Sequence, residues 1–417
     1  MQSVMDVKPI KIEIEGDYWD SILYKGRLYL WTMSGSIKVI DWDQLVNSLT
    51  ESIDLHKTME CVFKQGDYLY SGKNRALLYE TENFREEFKQ TLKIIESKIF
   101  FFQENDLDKF LVRELSNPFN ELPIDLDIYY DVIYSILDNG LSKLELLTDT
   151  SEAIDKNSNA HLWDCPSFAL KIKGGRIAVS AGEEGLYEYK ISDFKKKNNN
   201  EEDNPTISVD YKDLKLIEKN VRCISDKPSL FSNWSYSSVF SSSDYGDSAL
   251  IGFASKKGGH AEYVDTFSES SIFKKRKTSN QLSWGSEDKI YREVEGGLEV
   301  VRFTQNKLDH NPFSSVEKIP FQSWKGKIIS AGLSLFGTII ECENALVILQ
   351  SDNKVKNIEG PITKWRVFPR SVRYENQLHV ITEDKLEIFS FNQDYFINQS
   401  AKKYGAIKRN FNSFFRK

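Results

Sequence analysis

The chain has 417 residues and a mass of 48.2 kDa, well above the size of a typical single domain, which indicates several domains or one large repeat architecture. With 40% hydrophobic and 13% aromatic residues against 28% charged, it can bury a large core, which excludes disorder of the whole chain. The 55 Lys and Arg residues against 62 Asp and Glu residues give a net charge of -7, which excludes a global attraction for nucleic acid or acidic membranes. Any basic partner site must therefore be local.

The cysteines and the amino-terminal residues bear on the compartment. Four cysteines lie far apart in the chain with no C-x-x-C pair, a usage that favours a reducing environment over a disulfide framework. The first residues lack the apolar run of a secretory signal, and no uncharged apolar stretch approaches the roughly 20 residues that a membrane span requires. We therefore expect a cytoplasmic protein without a transmembrane segment, or a nuclear one in a eukaryote.

The predicted elements are mainly β-hairpins. Leu28 and Leu30 fall on one face of a strand with period-two alternation, and a glycine turn leads into Ile37 and Val39. A near copy stands at 174–189. Weaker hairpins are predicted at 67–78, 288–303, 337–349 and 376–391, and less certain ones begin near Lys98, Asp131 and Ser248.

One amphipathic helix interrupts the hairpins, and the hairpins themselves recur at a regular distance. Phe84, Phe88, Leu92 and Ile95 predict a helix over 83–95, because their spacings of four, four and three place them on one face. The hairpins that begin at Arg27 and Asp67 lie 40 residues apart, as do those at Gly337 and Gln377. Short strands at a period of 40 to 50 residues are typical of propeller blades.

On this period the chain resembles the β-propeller superfamily, in particular diverged WD-repeat-like propellers. Trp-Asp dipeptides stand at Trp19-Asp20, Trp42-Asp43 and Trp163-Asp164, and of these only Trp42-Asp43 follows a blade-like hairpin. The resemblance implies an all-β propeller of seven blades, with eight as the alternative, in which the first strand, over 10–14, joins the last blade. A pair of β-sandwiches or a long meander would also show alternation and glycine turns.

Three segments break the period. Residues 195–204 have no apolar side chain and predict a solvated loop, while 229–248 hold nine serines among aromatic residues. Residues 266–279 follow with a basic run. We therefore assign 1–391 to the propeller, with insertions near 195–205 and 229–279, and 392–417 to a basic and aromatic tail.

No motif for catalysis, a metal or a cofactor emerges from the sequence. Gly66 to Lys73 has one residue too many for a phosphate-binding loop, and Gly332-Leu-Ser334 lacks the second glycine of a nucleophile elbow at the required distance. His161 and Cys165 are the only close pair of zinc-type ligands, and a second pair is missing. We expect no cofactor, and we leave enzymatic activity open while favouring its absence. A triad or channel site assembled from several blades stays open as well.

Two basic segments are the candidate contact elements. The tail carries six cations against one acid, Asp394, interleaved with aromatic side chains that can stack on bases, enter a lipid interface or fill a groove on a partner. The tail could equally fold back on the propeller in cis, and the run at 274–277 could simply be a solvated loop. The candidate residues are Lys274, Lys275, Arg276, Lys277, Lys402, Lys403, Lys408, Arg409, Phe411, Phe414 and Phe415.

By analogy with propellers, the sequence favours a non-catalytic interaction scaffold that is a subunit of a larger complex. A nucleic-acid-associated accessory protein that binds through the tail is the alternative, and a propeller enzyme with a site at the central channel is a third reading. Protein partners are expected in the first case and nucleic acid in the second.

Overall fold

A computed structural model gives the conformation of most of the chain. It describes residues 9–50, 53–64, 81–146, 159–191, 216–218, 220–235, 238–242, 249–255, 261–273, 282–286, 289–294, 297–303, 313–314, 317–320, 327–334, 336–349, 355–371 and 373–391. Across these ranges, no helix combines the length and the apolar character that crossing a membrane requires.

Short β-strands dominate the described residues. In chain order they are β1 (Ile10–Glu15), β2 (Tyr18–Tyr24), β3 (Arg27–Thr32), β4 (Ile37–Asp41), β5 (Ile99–Phe102), β6 (Leu111–Leu115), β7 (Asp125–Tyr129), β8 (Val132–Leu137), β9 (Gly140–Glu145), β10 (Asn159–Trp163), β11 (Ala169–Lys173), β12 (Arg176–Ser180), β13 (Leu186–Lys190), β14 (Leu216–Glu218) and β15 (Val221–Ser225). They continue with β16 (Phe231–Ser235), β17 (Ser238–Ser242), β18 (Ala249–Ser255), β19 (Ala261–Ser268), β20 (Ser283–Ser286), β21 (Lys289–Val294), β22 (Gly297–Arg302), β23 (Glu317–Pro320), β24 (Ile328–Ser334), β25 (Gly337–Cys342), β26 (Ala345–Leu349), β27 (Val355–Glu359), β28 (Lys364–Val367), β29 (Gln377–Ile381) and β30 (Lys385–Ser390).

Helices are few by comparison. Those in the described residues are α1 (Trp42–Ser48), α2 (Ile53–Phe63), α3 (Glu82–Ile95), α4 (Glu269–Phe273) and a 3-10 helix over Glu104–Phe110.

The described strands form seven small sheets of four or five strands. Their orders are β2-β3-β4-β6, β7-β8-β9-β10, β11-β12-β13-β15-β14, β16-β17-β18-β19, β20-β21-β22-β23, β24-β25-β26-β27 and β28-β29-β30-β1-β5. Strands that neighbour one another in a sheet are mostly consecutive in the chain. This succession of small meanders is the propeller arrangement, and it confirms the all-β fold class.

The first strand joins the last sheet, as expected. β1 pairs antiparallel with β30 from Ile10 opposite Ser390 to Glu15 opposite Lys385. We call the sheet β28-β29-β30-β1-β5 the terminal sheet, because it holds the first and the last described strands of the chain.

Most of the predicted hairpins are present. β3 pairs with β4, β12 with β13, β21 with β22, β25 with β26 and β29 with β30, all antiparallel. The turn before β3 has positive φ at Lys25 and Gly26 (46° and 76°), the backbone that a two-residue hairpin turn needs. The hairpin predicted at 67–78 falls on residues 65–80, which lie outside the described residues.

The chain divides into two compact units. One is Met1–Leu122 with Trp324–Lys417 and holds three sheets, including the terminal sheet; the other is Pro123–Ser323 and holds four. In the first unit, Ile12, Ile14, Leu28 and Trp42 belong to one buried cluster. In the second, one buried cluster includes Trp163 and Tyr187, whose ring centroids lie 4.5 Å apart.

A long insertion separates β4 from β6 in the first unit. It contains α1, α2, α3, β5 and the 3-10 helix. The predicted amphipathic helix is confirmed as α3, which buries Phe88, Leu92 and Ile95 in the same cluster as Trp42. The insertion is therefore part of the core of the first unit and not a peripheral loop.

Two expectations from the sequence are wrong. The segment 229–279 was expected to be an insertion, but its described residues form the regular sheet β16-β17-β18-β19 followed by α4. The alternation of apolar residues that predicts a strand is weak here, because Ser232, Ser241 and Ser242 occupy buried strand positions. The Ser241 hydroxyl donates to the Ser229 hydroxyl at 2.8 Å. The hairpin expected near Lys98 is the single strand β5, which is followed by the 3-10 helix.

Candidate docking site on the edge of the terminal sheet

The last strand of the terminal sheet comes from the long insertion. β5, with the sequence Ile-Phe-Phe-Phe, pairs parallel with β1, from Ile99 opposite Lys11 to Phe102 opposite Ile14. Aromatic and β-branched residues favour a strand here, and the helix α3 ends just before it, with the Lys98 N–H donating to the Ile95 carbonyl at 3.0 Å. Among the described strands, none pairs with the other edge of β5.

The two faces of β5 have different surroundings. Phe100 and Phe102 pack against the buried cluster of the first unit, and the Phe102 ring meets the edge of Phe110 at 6.1 Å. Ile99 and Phe101 are 61% and 53% exposed, and Ile94 at the end of α3 is 56% exposed. We call the outer side of β5, together with the exposed side chains of Ile94, Ile99 and Phe101, the β5 edge.

An exposed apolar edge strand is a liability that proteins usually blunt with charges, proline or a covering element. β5 carries none of these blunting residues between Ile99 and Phe102. Its alternate N–H and C=O groups point away from β1, because a strand hydrogen-bonds on both sides in alternation. The β5 edge therefore offers backbone hydrogen bonds and apolar contact together.

A network of four charges lies beside the β5 edge on the same face of the sheet. Lys11 contacts Glu13 and lies 2.9 Å from Glu387, while Lys385 lies 3.4 Å from Glu387. Burial lowers the pKa of Lys11, but its bonds to Glu13 and Glu387 outweigh this and raise it. Burial raises the pKa of Glu13, but the bond to Lys11 outweighs this and lowers it. Both shifts favour the charged forms of Lys11 and Glu13, and the network borders the apolar edge on one side.

An acidic cleft lies at the far end of β5. Its volume is about 480 Å³ and its lining is Glu15, Gly16, Asp17, Gln103, Glu104, Asn105 and Asp384. Glu15 is the last residue of β1, and the other lining residues follow β1, follow β5 or precede β30, so the cleft lies at the end of the terminal sheet. Lys38 lies 2.7 Å from Glu104 and balances the charge of this one of the four carboxylates in the cleft. The cleft is therefore acidic on balance.

A serine–histidine pair is buried in the first unit. Ser21 Oγ and His379 Nδ1 share a hydrogen bond of 2.9 Å, and both residues have no exposed surface. Burial, with the nearby charge of Arg366, lowers the pKa of His379 to about 3, so the imidazole is neutral. Arg366 makes a bidentate ion pair with the fully buried Asp20. Because no substrate can reach Ser21 in this arrangement, the cluster joins β2 to β28 and β29 and does not form an exposed site.

The candidate residues from the sequence lie outside the described residues. Lys274 to Lys277 and all of the tail candidates, from Lys402 to Phe415, lie outside them. Within the described ranges, no group of three His, Cys, Asp or Glu side chains could hold a metal ion, and the pair His161 and Cys165 gains no further ligand. The sequence does not reveal the β5 edge, because the apolar run 99–102 predicts one strand of a hairpin.

Comparison with known proteins adds little. No protein-family model matches the chain, and no curated protein matches it. Among solved structures, the computationally designed Ika8 protein is similar with a TM-score of 0.44 and 8% identity, covering 92% of this chain and 100% of that one. Two structures of Hsv2 from Kluyveromyces lactis are similar with TM-scores of 0.37 and 10% identity; the one with the complete loop 6CD covers 71% of this chain and 80% of Hsv2, and the other covers 70% and 79%. None of these likenesses carries an argument about function.

Proposed function

We propose that this protein is a non-catalytic interaction scaffold, a subunit of a larger complex, and that it binds a protein partner at the β5 edge. The observation that supports the proposal is the exposure of Ile99 and Phe101 on an edge strand whose opposite face is packed into the core. A partner segment in extended conformation would add a strand there, with main-chain hydrogen bonds supplying affinity and apolar contacts supplying specificity.

The energies favour such binding. Full burial of an Ile or Phe side chain stabilises by about 1.5–3 kcal/mol, so the exposed half of each residue offers about 1–2 kcal/mol. The backbone of β5 is already ordered by β1, so little conformational entropy is lost on the scaffold side.

Two finer assignments belong to the same proposal. The blades are diverged WD-repeat-like blades: Trp42-Asp43 directly follows β4, the third strand of its sheet, and Trp42 is fully buried. We place the complex in the cytoplasm, and the basic run 274–277 remains a predicted contact element.

The test compares partner capture by matched variants. We expect Phe101→Lys to lose the partner that the tagged wild-type chain retains in affinity capture, because a charge cannot replace the apolar contact. Ile329→Lys is the control, since Ile329 is 52% exposed on β24 in the same unit. The proposal fails if wild type and Phe101→Lys capture the same proteins in the same amounts, or if the native protein elutes only at its own mass.

A further inference from the structure

The carboxyl-terminal tail starts at the end of the terminal sheet where β5 begins. β30 ends at Ser390, which pairs with Ile10 at the start of β1, and β1 at Lys11 is level with Ile99. Phe391 is buried, and its N–H donates to the Asn376 carbonyl at 2.9 Å, which fixes the point of departure. The remaining 26 residues, 392–417, thus leave the terminal sheet at the same end at which β5 begins.

The direction of the strands decides where the tail can go. β30 is antiparallel to β1 and β1 is parallel to β5, so a chain that reverses after Phe391 runs parallel to β5, from Ile99 towards Phe102. We propose that the tail of this protein binds its own β5 edge in this direction and covers Ile99 and Phe101. The inference rests on the proposed function in taking the β5 edge as the binding surface, and it makes the tail an internal competitor of the partner.

Distances fit the order of residues in the tail. The position beyond β5 is three strand spacings from β30, about 14 Å, which four or five extended residues cross. The uncharged segment Tyr395 to Ser400 then lies along β5, whose four residues extend for about 13 Å. Because successive side chains of a strand point to opposite faces, Tyr395 and Ile397 fall on one face of the added strand, where they cover Ile99 and Phe101.

Charge supports the same arrangement. After the uncharged segment come Lys402 and Lys403, and a chain that follows β5 brings them level with the acidic cleft at its far end. The cleft supplies Glu15 and Asp17 as exposed carboxylates. Because the tail is tethered close to the edge, its effective concentration there is on the order of millimolar, so a weak contact suffices to populate the bound state.

Hydrogen–deuterium exchange of the full-length chain tests the inference. The outward amides of β5 should exchange at least about tenfold more slowly in the wild type than in Ile397→Asp, since half-burial of two apolar side chains amounts to 1.4 kcal/mol or more. The peptide to follow by mass spectrometry covers residues 97–104. Phe414→Asp is the matched control and should leave this peptide unchanged.

A second pair of variants tests the direction of the tail. Lys402→Glu with Lys403→Glu should speed exchange of the β5 peptide, and 1 M salt should do so in the wild type by screening. Lys408→Glu with Arg409→Glu makes the same change of charge further along and should have a smaller effect.

Three results would overturn the inference. One is equal exchange in wild type and Ile397→Asp; another is protection that persists in Ile397→Asp and weakens on dilution, which would mean that a second copy covers the edge. The third is an equal effect of the two charge-reversal pairs, which would show that the tail has no fixed direction along β5. Partner capture stays a separate readout: if the tail does not bind the edge, Phe101→Lys can still lose the partner, and if capture fails, the exchange experiment still reports on the tail.

Discussion

Replacing Arg366 by Met is expected to destabilise the unit formed by residues 1–122 and 324–417. Arg366 donates from Nε to Asp20 Oδ1 at 2.6 Å and from a terminal nitrogen to Oδ2. The Asp20 side chain has no exposed surface and that of Arg366 is 13% exposed, so the pair is shielded from water and ions. The substitution keeps much of the side-chain length and removes the charge.

The magnitude follows from the burial of Asp20. Removing one partner of a buried ion pair costs about 3–5 kcal/mol, because the other charge is left without solvent and without its counter-ion. The Ser21 N–H still donates to Asp20 Oδ1 at 2.7 Å and offsets part of this cost. We therefore expect a loss of about 3 kcal/mol, at the lower end of that range.

Urea denaturation followed by tryptophan fluorescence measures the loss, since Trp365 and Trp31 belong to this unit. The double variant Asp20→Asn with Arg366→Met is the control, because it removes both charges, and it should recover at least half of the loss. The reasoning is refuted if Arg366→Met costs less than about 1 kcal/mol, the value of an exposed pair, or if the double variant is the sum of the two single ones.

Three further predictions concern single residues of the same fold. The bond to Lys11 outweighs burial and lowers the pKa of Glu13 below 4.5. The Glu13 carboxylate therefore contributes stability above pH 4.5, and this contribution is lost as the pH falls through the lowered pKa. Glu13→Gln should flatten this part of a plot of unfolding midpoint against pH. Gly140→Ala should destabilise more than Gly174→Ala in thermal melts: both glycines have positive φ, but an added Cβ at Gly140 collides with the backbone of Trp163 and Cys165, whereas at Gly174 it meets open space. Burial raises the pKa of Cys61 to about 12, and a thiol reagent at pH 8 should label it in the native protein more slowly than Cys165, while equal rates would show that the α2 region opens freely.

The hairpins could be predicted from the sequence because their signals are local. Arg27 to Val39 contains both strands, the glycine turn and the alternation within 13 residues, and β3 and β4 follow it closely. The same is true of 176–189 and of 376–391. A short turn leaves little choice of partner, so the pairing is fixed by the residues that predict it.

The candidate site could not be predicted because its contacts are not local. β5 pairs with β1, which lies 88 residues earlier at Lys11 and Ile99, and parallel pairing needs no turn that the sequence would reveal. Phe100 and Phe101 look alike in the sequence, because packing against the rest of the fold decides which face of an apolar run is exposed. Ser21 and His379 are likewise 358 residues apart.

The attachments of the insertion explain why the β5 edge is suited to binding. The Trp42 indole donates to the Phe63 carbonyl at 3.1 Å, and the Asn376 amide donates to the Val62 carbonyl at 2.9 Å, so the end of α2 is tied both to the start of the insertion and to the terminal sheet. One terminal nitrogen of Arg373 donates to both carboxylate oxygens of Asp43, at 2.9 and 2.7 Å.

These bonds join segments that are distant in the chain, and they hold the helices that precede β5 against the sheet to which β5 belongs. An edge held in this way loses little freedom when a strand is added, so most of the gain from burying Ile99 and Phe101 remains as binding energy. Loosening the attachment should therefore weaken binding at a surface that the substitution never touches. Asn376→Ala is expected to reduce partner capture, as Phe101→Lys does. Unchanged capture would show that the rigidity of the insertion does not contribute to binding at the β5 edge.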